Sequence, residues 1–406
     1  MPEPDSPVPG PSTEIVLAYS PSRHTLVALA HGPDYARAHE VLQQAGARPD
    51  ADAMYQIPMQ DPAAFQRMLE TVLPQSADTA ITTRISARPY LGDVAERIAE
   101  HLDGPWTADV HVYALPDGQR NVRPWLWDDG PLAQALDAQA VPYAATLTHG
   151  DGTALLLAED PAALAGDASL LIGAFAPPGV PGGDFADALD APTSIIVPGP
   201  YKGAALAIQQ DLLPRYRHAD RIRRASEVGD ALDLAHEALA AWERTVRDRA
   251  SGDHRELSLL RQRTKERLWQ QFTQFLDYGG PLLAHAEALP HSLRAQLAAG
   301  RDPEHALDLL KAAFAEGQER REEWNATVQR LRETPRRLPP VSVEVLKNRR
   351  NHGASNAIAR WMQRGQLLLD LTQTEAAPAS TKAAQRRCGP APAAPTANTQ
   401  RTPPSP

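Results

Sequence analysis

The sequence predicts an α+β N-terminal domain, then an all-α helical bundle or coiled-coil-like region, and last a disordered basic tail rich in Pro and Ala. Three observations support this organisation. Residues 14–213 alternate short β-rich runs with amphipathic stretches, which indicates a mixed or antiparallel sheet with helices mainly on one face. Residues 214–333 carry apolar side chains at helical spacing. Residues 374–406 combine seven prolines with little apolar surface to bury.

Three shorter segments complete the predicted domain organisation. The acidic, Pro-rich opening, residues 1–13, is expected to be a disordered leader, since it is unlike the basic and apolar start of a signal peptide. The stretch "TPRRLPP", residues 334–340, is expected to be a linker, and residues 341–373 a pair of basic helices. No apolar run approaches the roughly 20 residues of a membrane helix. We therefore expect a cytoplasmic protein with no membrane partner.

Local signals predict the individual elements of the α+β domain. The runs "EIVLAYS" and "HTLVALAHG" predict a hairpin across the intervening "PSR". The helix in "DYARAHEVLQQAG" is expected to end at Gly46, because glycine commonly follows a helix C-terminus. Asp61 followed by Pro62 is typical of a helix start. The stretch "YAATLTHGDGTALLLAED" predicts a second hairpin with its turn at residues 149–152.

Three apolar seams cross the helical region, in residues 228–246, 257–276 and 307–331. Their positions step by three and four residues, so they predict helices that pack against one another. Gly317 and Arg321 interrupt the third seam, which favours a short bundle over a long coiled coil. The start of the third helix is predicted at Asp302-Pro303-Glu304.

The charge of the chain is unevenly distributed. The formal net charge of -9 divides into -17 for residues 1–213, zero for residues 214–330 and +8 for residues 331–406. A basic end on an acidic body can bind nucleic acid or another acidic surface, including the acidic domain of the same chain.

Residues 341–371, "VSVEVLKNRRNHGASNAIARWMQRGQLLLDL", combine this basic charge with helical periodicity. The part "GASNAIARWMQRG" resembles the turn and second helix of a helix-turn-helix motif, with Gly353 at the turn and Ser355 and Asn356 near base edges. The resemblance implies phosphate contacts from five basic side chains: Lys347, Arg349, Arg350, Arg360 and Arg364. It departs from the motif at Arg349, where a small residue is usual, and in the spacing after Ser355. The alternative is a basic helical hairpin that docks on the acidic domain.

Candidate metal and carboxylate sites in the N-terminal domain have simpler structural explanations. Metal-ligand residue types cluster at residues 101–111, but a helix C-terminus favours histidine without any metal. The carboxylate pairs at residues 50–52 and 128–129 lie in turn-like segments, where Asp is common for its backbone hydrogen bonds. Trp125 and Trp127 alternate as on one face of a strand and could stack on bases, although such a pair more often fills a core.

No motif of a phosphate loop, dinucleotide site, serine hydrolase or zinc protease is present, and we expect no cofactor and no metal. The single cysteine, Cys388, cannot form an internal disulfide. The leading hypothesis is a non-enzymatic, multidomain accessory factor that binds DNA or RNA through its basic C-terminal region. One alternative is a scaffold that forms a homo-oligomer through helices 219–333. The other is an enzyme of unrecognised type, with a site near one of four residues: Asp93, His101, Asp128 or His149.

Overall fold

The computed structural model describes residues 13–49, 54–59, 62–78, 81–163, 169–177, 191–199, 201–248, 254–297, 302–333 and 340–374. The chain divides into two compact units, Met1–Asp220 and Arg221–Pro406. Most of the predicted leader, linker and tail lies outside the described residues, as do Asp61, Cys388 and the carboxylate pair at residues 50–52. No helix within the described ranges is long and apolar enough to cross a membrane.

Ten strands of the described chain form two five-stranded sheets in the first unit. The first sheet has the order β3-β4-β2-β1-β5 and is mixed, because β5 runs parallel to β1 while the other pairs are antiparallel. Its strands are β1 (Glu14–Ser20), β2 (Thr25–His31), β3 (Arg48–Pro49), β4 (Tyr55–Pro58) and β5 (Thr82–Pro89). The predicted hairpin across "PSR" is confirmed, since β1 and β2 pair from Ser20 and Thr25 outward.

The second sheet is an antiparallel meander with the order β10-β9-β8-β7-β6. Its strands are β6 (Trp106–Val112), β7 (Tyr143–His149), β8 (Ala154–Glu159), β9 (Leu170–Ala174) and β10 (Ile195–Val197). The predicted β7–β8 hairpin is confirmed: Gly152 has φ +90°, a conformation that glycine adopts without strain, and its N–H donates to His149 O at 2.9 Å.

Six helices of the described chain pack on the two faces of the sheets in the first unit. These helices are α1 (Tyr35–Gln44), α2 (Pro62–Asp78), α3 (Leu91–Ala99), α4 (Pro116–Val122), α5 (Pro131–Asp137) and α6 (Tyr201–Ala207). Helices α1 and α2 pack on one face of the first sheet, and α5 packs on one face of the second. The opposite faces of both sheets share one core with α3. The α+β prediction is confirmed, with the strands divided between a mixed and an antiparallel sheet.

The second unit is a helical bundle. A π-helical turn, Ile208–Leu212, joins α6 to α7, and α7 continues from the first unit into the second. The remaining helices are α7 (Leu213–Asp248), α8 (His254–Ala288), α9 (His291–Leu297), α10 (Pro303–Glu333), α11 (Pro340–Gly353) and α12 (Ser355–Thr374). Asp302 caps α10 as predicted, because its Oδ1 accepts the N–H groups of Glu304 and His305 at 3.1 and 3.2 Å.

Helix α12 lies inside the bundle and does not form a separate pair with α11. Its Trp361 is fully buried against Phe272 and Phe275 of α8, with ring centroids 5.6 and 5.7 Å away. Gly365 lets α12 approach α7, since a Cβ there would lie 3.1 Å from Leu232. The basic segment therefore belongs to the bundle, because its apolar stripe completes the core formed by the three predicted seams.

The junction between α11 and α12 is not the turn of a helix-turn-helix. Only Ala354 separates the two helices, and its N–H donates to Arg350 O at 3.0 Å. The N–H of Ile358 donates in turn to Ala354 O at 3.0 Å, so helical hydrogen bonding runs across the junction. The motif requires a turn of about three or four residues between helices that cross at a large angle. The predicted resemblance is therefore wrong in its geometry.

Candidate anion-binding groove

A groove of about 430 Å³ lies between α10 and α11 in the second unit. Four guanidinium groups and one carboxylate line it. The lining residues are Arg320, Glu323, Trp324, Ala326, Thr327, Arg330, Leu346, Arg349 and Arg350. Arg349 and Arg350 were predicted from the sequence as phosphate ligands. Arg320 and Arg330 lie on α10, for which the sequence predicted only an apolar packing seam. The groove thus brings charge from two helices to one place.

Helix α11 is held beside α8 by polar contacts. Gln262 donates to Glu344 at 3.0 Å. Glu266 of α8 accepts hydrogen bonds from Arg350 at 2.6 Å and from Asn351 at 2.9 Å. These contacts fix the position of α11, and so they fix the width of the groove on its other side.

Arg350 forms a wall of the groove and has its own partners. Its side chain is 6% exposed, and its guanidinium lies 4.8 Å from the ring centre of Trp269 and 4.5 Å from that of Trp324. Its Nε and Nη2 both donate to the side-chain oxygen of Asn351, at 3.0 and 2.8 Å. Burial acts to raise the pKa of Glu266, but the hydrogen bonds of Asn351 and Arg350 outweigh it and hold that pKa below its usual value. The geometry does not fit the predicted phosphate role of Arg350, because Glu266 and Asn351 already occupy its guanidinium.

The arginines of α10 are held along the opposite wall. Arg320 pairs with Glu323 at 2.7 Å, and its buried Nε makes no hydrogen bond within the described part of the chain. Arg330 is exposed and donates to Ala326 O at 3.2 Å and to Thr327 Oγ1 at 3.4 Å. Glu323 therefore partly neutralises the charge of Arg320, and the contacts of Arg330 with Ala326 and Thr327 hold its side chain along α10.

Arg349 is an exposed cation of the groove on the α11 side. No hydrogen bond or ion pair connects it to another described residue. Lys347 lies on the other side of α11, where it faces α8 and pairs with Glu344 at 3.4 Å. The two cations thus point into different depressions, and only Arg349 belongs to the groove.

The predicted residues of α12 are divided between its surface and its packing. Ser355 and Asn356 are exposed at the start of the helix, next to Gly353, which packs against the side chain of Arg320. Arg360 pairs with Glu316 at 3.1 Å. Arg364 is half-buried, and its Nε makes no hydrogen bond within the described residues. Of these four, Ser355 and Asn356 are the exposed residues, and neither lines the groove.

The four enzyme candidates of the first unit belong to separate local networks. Asp93 accepts hydrogen bonds from Ser20 and Ser22 in the β1–β2 turn. Asp128 is buried and accepts backbone N–H groups: those of Gly130, Ala133 and Ser194, at 2.8, 3.1 and 2.6 Å. His149 pairs with Asp151 at 2.9 Å. His101 bonds to Arg97 O within its own turn. These contacts hold turns and helix ends in place, and they do not converge on one cavity.

The other sequence candidates are also separated. Trp125 is 54% exposed in a 3-10 turn, whereas Trp127 is 1% exposed against Tyr216, so the two do not share a face. Within the described ranges, no group of three or more His, Cys, Asp or Glu side chains is placed to hold a metal ion.

Comparisons with protein-family models, with curated proteins and with solved structures find no significant match to this chain. The groove is therefore interpreted from its own chemistry.

Proposed function

We propose that the groove between α10 and α11 binds the phosphate groups of a nucleic acid, DNA or RNA, and that the protein acts as an accessory factor. One observation carries the proposal: four arginines line the groove against a single glutamate, and Glu266, from outside the groove, neutralises one of the four, Arg350. Guanidinium groups bind phosphate with two parallel hydrogen bonds and stay charged at all physiological pH values. Because Glu323 pairs with Arg320 and Glu266 pairs with Arg350, Arg349 is the cation that a phosphate would contact first, with Arg330 on the facing helix.

The length of the groove favours a polymer over a single phosphate. Arg320 and Arg330 are ten residues apart on α10, which corresponds to about 15 Å along the helix axis. A nucleic-acid strand carries one phosphate per roughly 3.4 Å of duplex axis, so several consecutive phosphates fit this length. We propose that Ser355 and Asn356, which follow Gly353 beside Arg320, contact the same strand. We do not expect α12 to contact base edges, because most of that helix lies in the core.

The test uses point variants of the full chain. Deleting the C-terminal region would remove α12 and with it Trp361, so any loss of binding would reflect unfolding. We would measure fluorescence anisotropy of labelled single- and double-stranded oligonucleotides at low salt. The double variant R330A/R349A is expected to bind roughly tenfold or more weakly, since charge-assisted hydrogen bonds are lost. The matched control is R247A, an exposed arginine at the end of α7 outside the groove.

Two results would overturn the proposal. One is that the wild-type protein binds no oligonucleotide at low salt. The other is that R330A/R349A binds as tightly as R247A, which would show that any affinity arises from charge spread over the whole surface.

A second candidate, self-association, is favoured by the far end of the bundle. The buried core ends at Ala235 on α7 and begins at Trp269 on α8, yet the apolar seams continue beyond both residues. There Val246 and Leu259 are 40% and 57% exposed, and Val345 of α11 is 60% exposed. Light scattering at high protein concentration tests this directly. A dimer that dissociates in L259D supports self-association, and a strict monomer contradicts it.

A further inference from the structure

The first unit contains a cleft of about 570 Å³ along β5, which is an edge strand of the first sheet. Beside β5, the cleft is lined by residues 139–143 and by residues 159–161 and 163. This volume is within the range of small-molecule sites, about 300–1,000 Å³. Six polar or ionisable side chains of the cleft belong to two groups: Glu14, His31 and Arg84 in the first, and Arg88, Tyr143 and Glu159 in the second.

An irregularity in β5 directs Arg88 into the cleft. Leu17 of β1 pairs with Ile85, but Tyr19 pairs with Pro89. Between these two pairs the chain moves four positions along β5 and only two along β1, so β5 contains extra residues. The N–H of Arg88 donates to Ser86 Oγ at 3.1 Å. Irregularities of this kind turn side chains away from the regular strand and are common beside binding sites.

The first group is electrostatically complete. Glu14 accepts Arg84 Nε at 2.9 Å and contacts His31 Nε2 at 3.2 Å. Burial acts to raise the pKa of Glu14, but these hydrogen bonds outweigh it and hold the pKa below its usual value. The carboxylate therefore stays charged and balances the cation beside it.

The second group is incomplete. The side chains of Arg88 and Glu159 are each 18% exposed, and the N–O distance between them is long, at 3.4 Å. Burial raises the pKa of Glu159, although Tyr143 and Arg88 act to lower it. Burial also raises the pKa of Tyr143, which keeps its hydroxyl proton and hydrogen bonds with Glu159. Within the described residues, the one side-chain hydrogen bond of Arg88 is this long contact with Glu159, so most N–H donors of the enclosed guanidinium have no protein acceptor there. Enclosed charges are costly unless they are well paired.

We infer that this cleft binds a small carboxylate-bearing molecule, whose carboxylate is held by the guanidinium of Arg88. Arginine binds carboxylate with two parallel hydrogen bonds, which would use the donors that the long Glu159 contact leaves without an acceptor. A dianionic phosphate fits less well, because Glu14, Glu159 and Asp160 line the same cleft and would repel it more strongly. Val141, Pro142 and other apolar side chains that line the cleft are suited to contact the non-polar part of the ligand.

The test is ligand-observed saturation-transfer NMR on the full chain, with acetate, hexanoate, benzoate and inorganic phosphate as probes. Hexanoate and benzoate are expected to bind more tightly than acetate, since they also cover the apolar side chains of the cleft. The variant R88Q is expected to lose about tenfold or more in affinity. The matched control is R37Q, an exposed arginine of α1 outside the cleft, which is expected to bind as the wild type does.

The variant E159Q guards against a loss caused by misfolding. Glutamine keeps the shape of Glu159 but cannot compete as an anion for Arg88, so E159Q is expected to bind carboxylates several-fold more tightly than the wild type. A gain of affinity cannot come from unfolding. The inference is overturned if no carboxylate binds, if R88Q binds as well as R37Q, if E159Q weakens binding, or if phosphate binds more tightly than the carboxylates.

Discussion

The two units each enclose an arginine beside a glutamate, and the two pairs differ in how completely the arginine is satisfied. In the helical unit, Arg350 contacts Glu266 at 2.6 Å, bonds twice to Asn351 and lies between two tryptophan rings. In the α+β unit, the contact between Arg88 and Glu159 is 3.4 Å long. The pKa of Glu266 is lowered, whereas that of Glu159 is raised.

This difference separates a structural arginine from a binding arginine. Where hydrogen bonds and ring contacts use every face of the guanidinium, the charge stabilises the fold and is unavailable to a ligand. Where the contact with the partner is long and burial raises the pKa of that partner, an anion from outside supplies the hydrogen bonds that the pair lacks. The same comparison applies within one groove, where Arg350 is occupied and its neighbour Arg349 is exposed.

The largest expected effect is that of R350A on stability. Removing the guanidinium leaves Glu266 and Asn351 without their partner and opens a space between two tryptophan rings, so we expect a loss of about 3–5 kcal/mol. Urea denaturation of the full chain, followed by circular dichroism, measures the change. R349A is the control and should stay within about 0.5 kcal/mol of the wild type, since its side chain is exposed. If R350A and R349A changed the free energy of unfolding equally, Arg350 would not be the structural arginine that the contacts indicate.

The next largest effect is that two isosteric variants, E266Q and E159Q, change the stability of the protein in different directions. E266Q should destabilise the protein by about 2–3 kcal/mol, because it leaves the enclosed Arg350 without a counter-charge. E159Q should leave stability unchanged or raise it at neutral pH, because burial raises the pKa of Glu159 and so makes its charged form unfavourable in the folded state. The same urea titrations compare them. A clear loss of stability in E159Q would mean that the Arg88–Glu159 pair is structural after all.

The smallest expected effects are opposite pH dependences of stability. The folded-state pKa of Glu266 lies below its usual 4.5, so its contribution is present above that value and is lost as pH falls through the folded pKa. The folded-state pKa of Glu159 lies above 4.5, so its contribution is present below that value and is lost as pH rises through the folded pKa. Thermal unfolding of the wild type, E266Q and E159Q across this pH range checks both. Parallel curves for the two variants would contradict the assigned pKa directions.

Local signals predicted much of the fold from the sequence. Asp302-Pro303 begins α10, Gly46 with φ +83° follows α1, and the turn at residues 149–152 joins β7 to β8. Each feature depends on residues only a few positions apart, so the pattern is visible along the chain. The interior of the bundle was also anticipated, because seams at helical spacing must pack against something.

The sites were less predictable because they depend on distant residues. The sequence predicted Arg350 as a phosphate ligand, because its partner Glu266 lies 84 positions earlier in the chain. Trp269, on the same helix as Glu266, contacts the Arg350 guanidinium as well. Arg88 and Glu159 are 71 positions apart, and no local pattern predicted that they would form a pair. One signal was available: Glu159 ends the otherwise apolar strand "ALLLAE", where an ionisable side chain must either leave the core or change its pKa.

The measurement that tests the central claim most directly is the salt dependence of oligonucleotide binding by the full chain. Each phosphate contact releases counterions, so the slope of log affinity against log salt counts the contacts. We predict that R330A and R349A each reduce the magnitude of this slope by about one, that the double variant reduces it by about two, and that R247A leaves it unchanged. Unchanged slopes in all four variants, or an equal reduction by R247A, would show that phosphates do not enter the groove between α10 and α11.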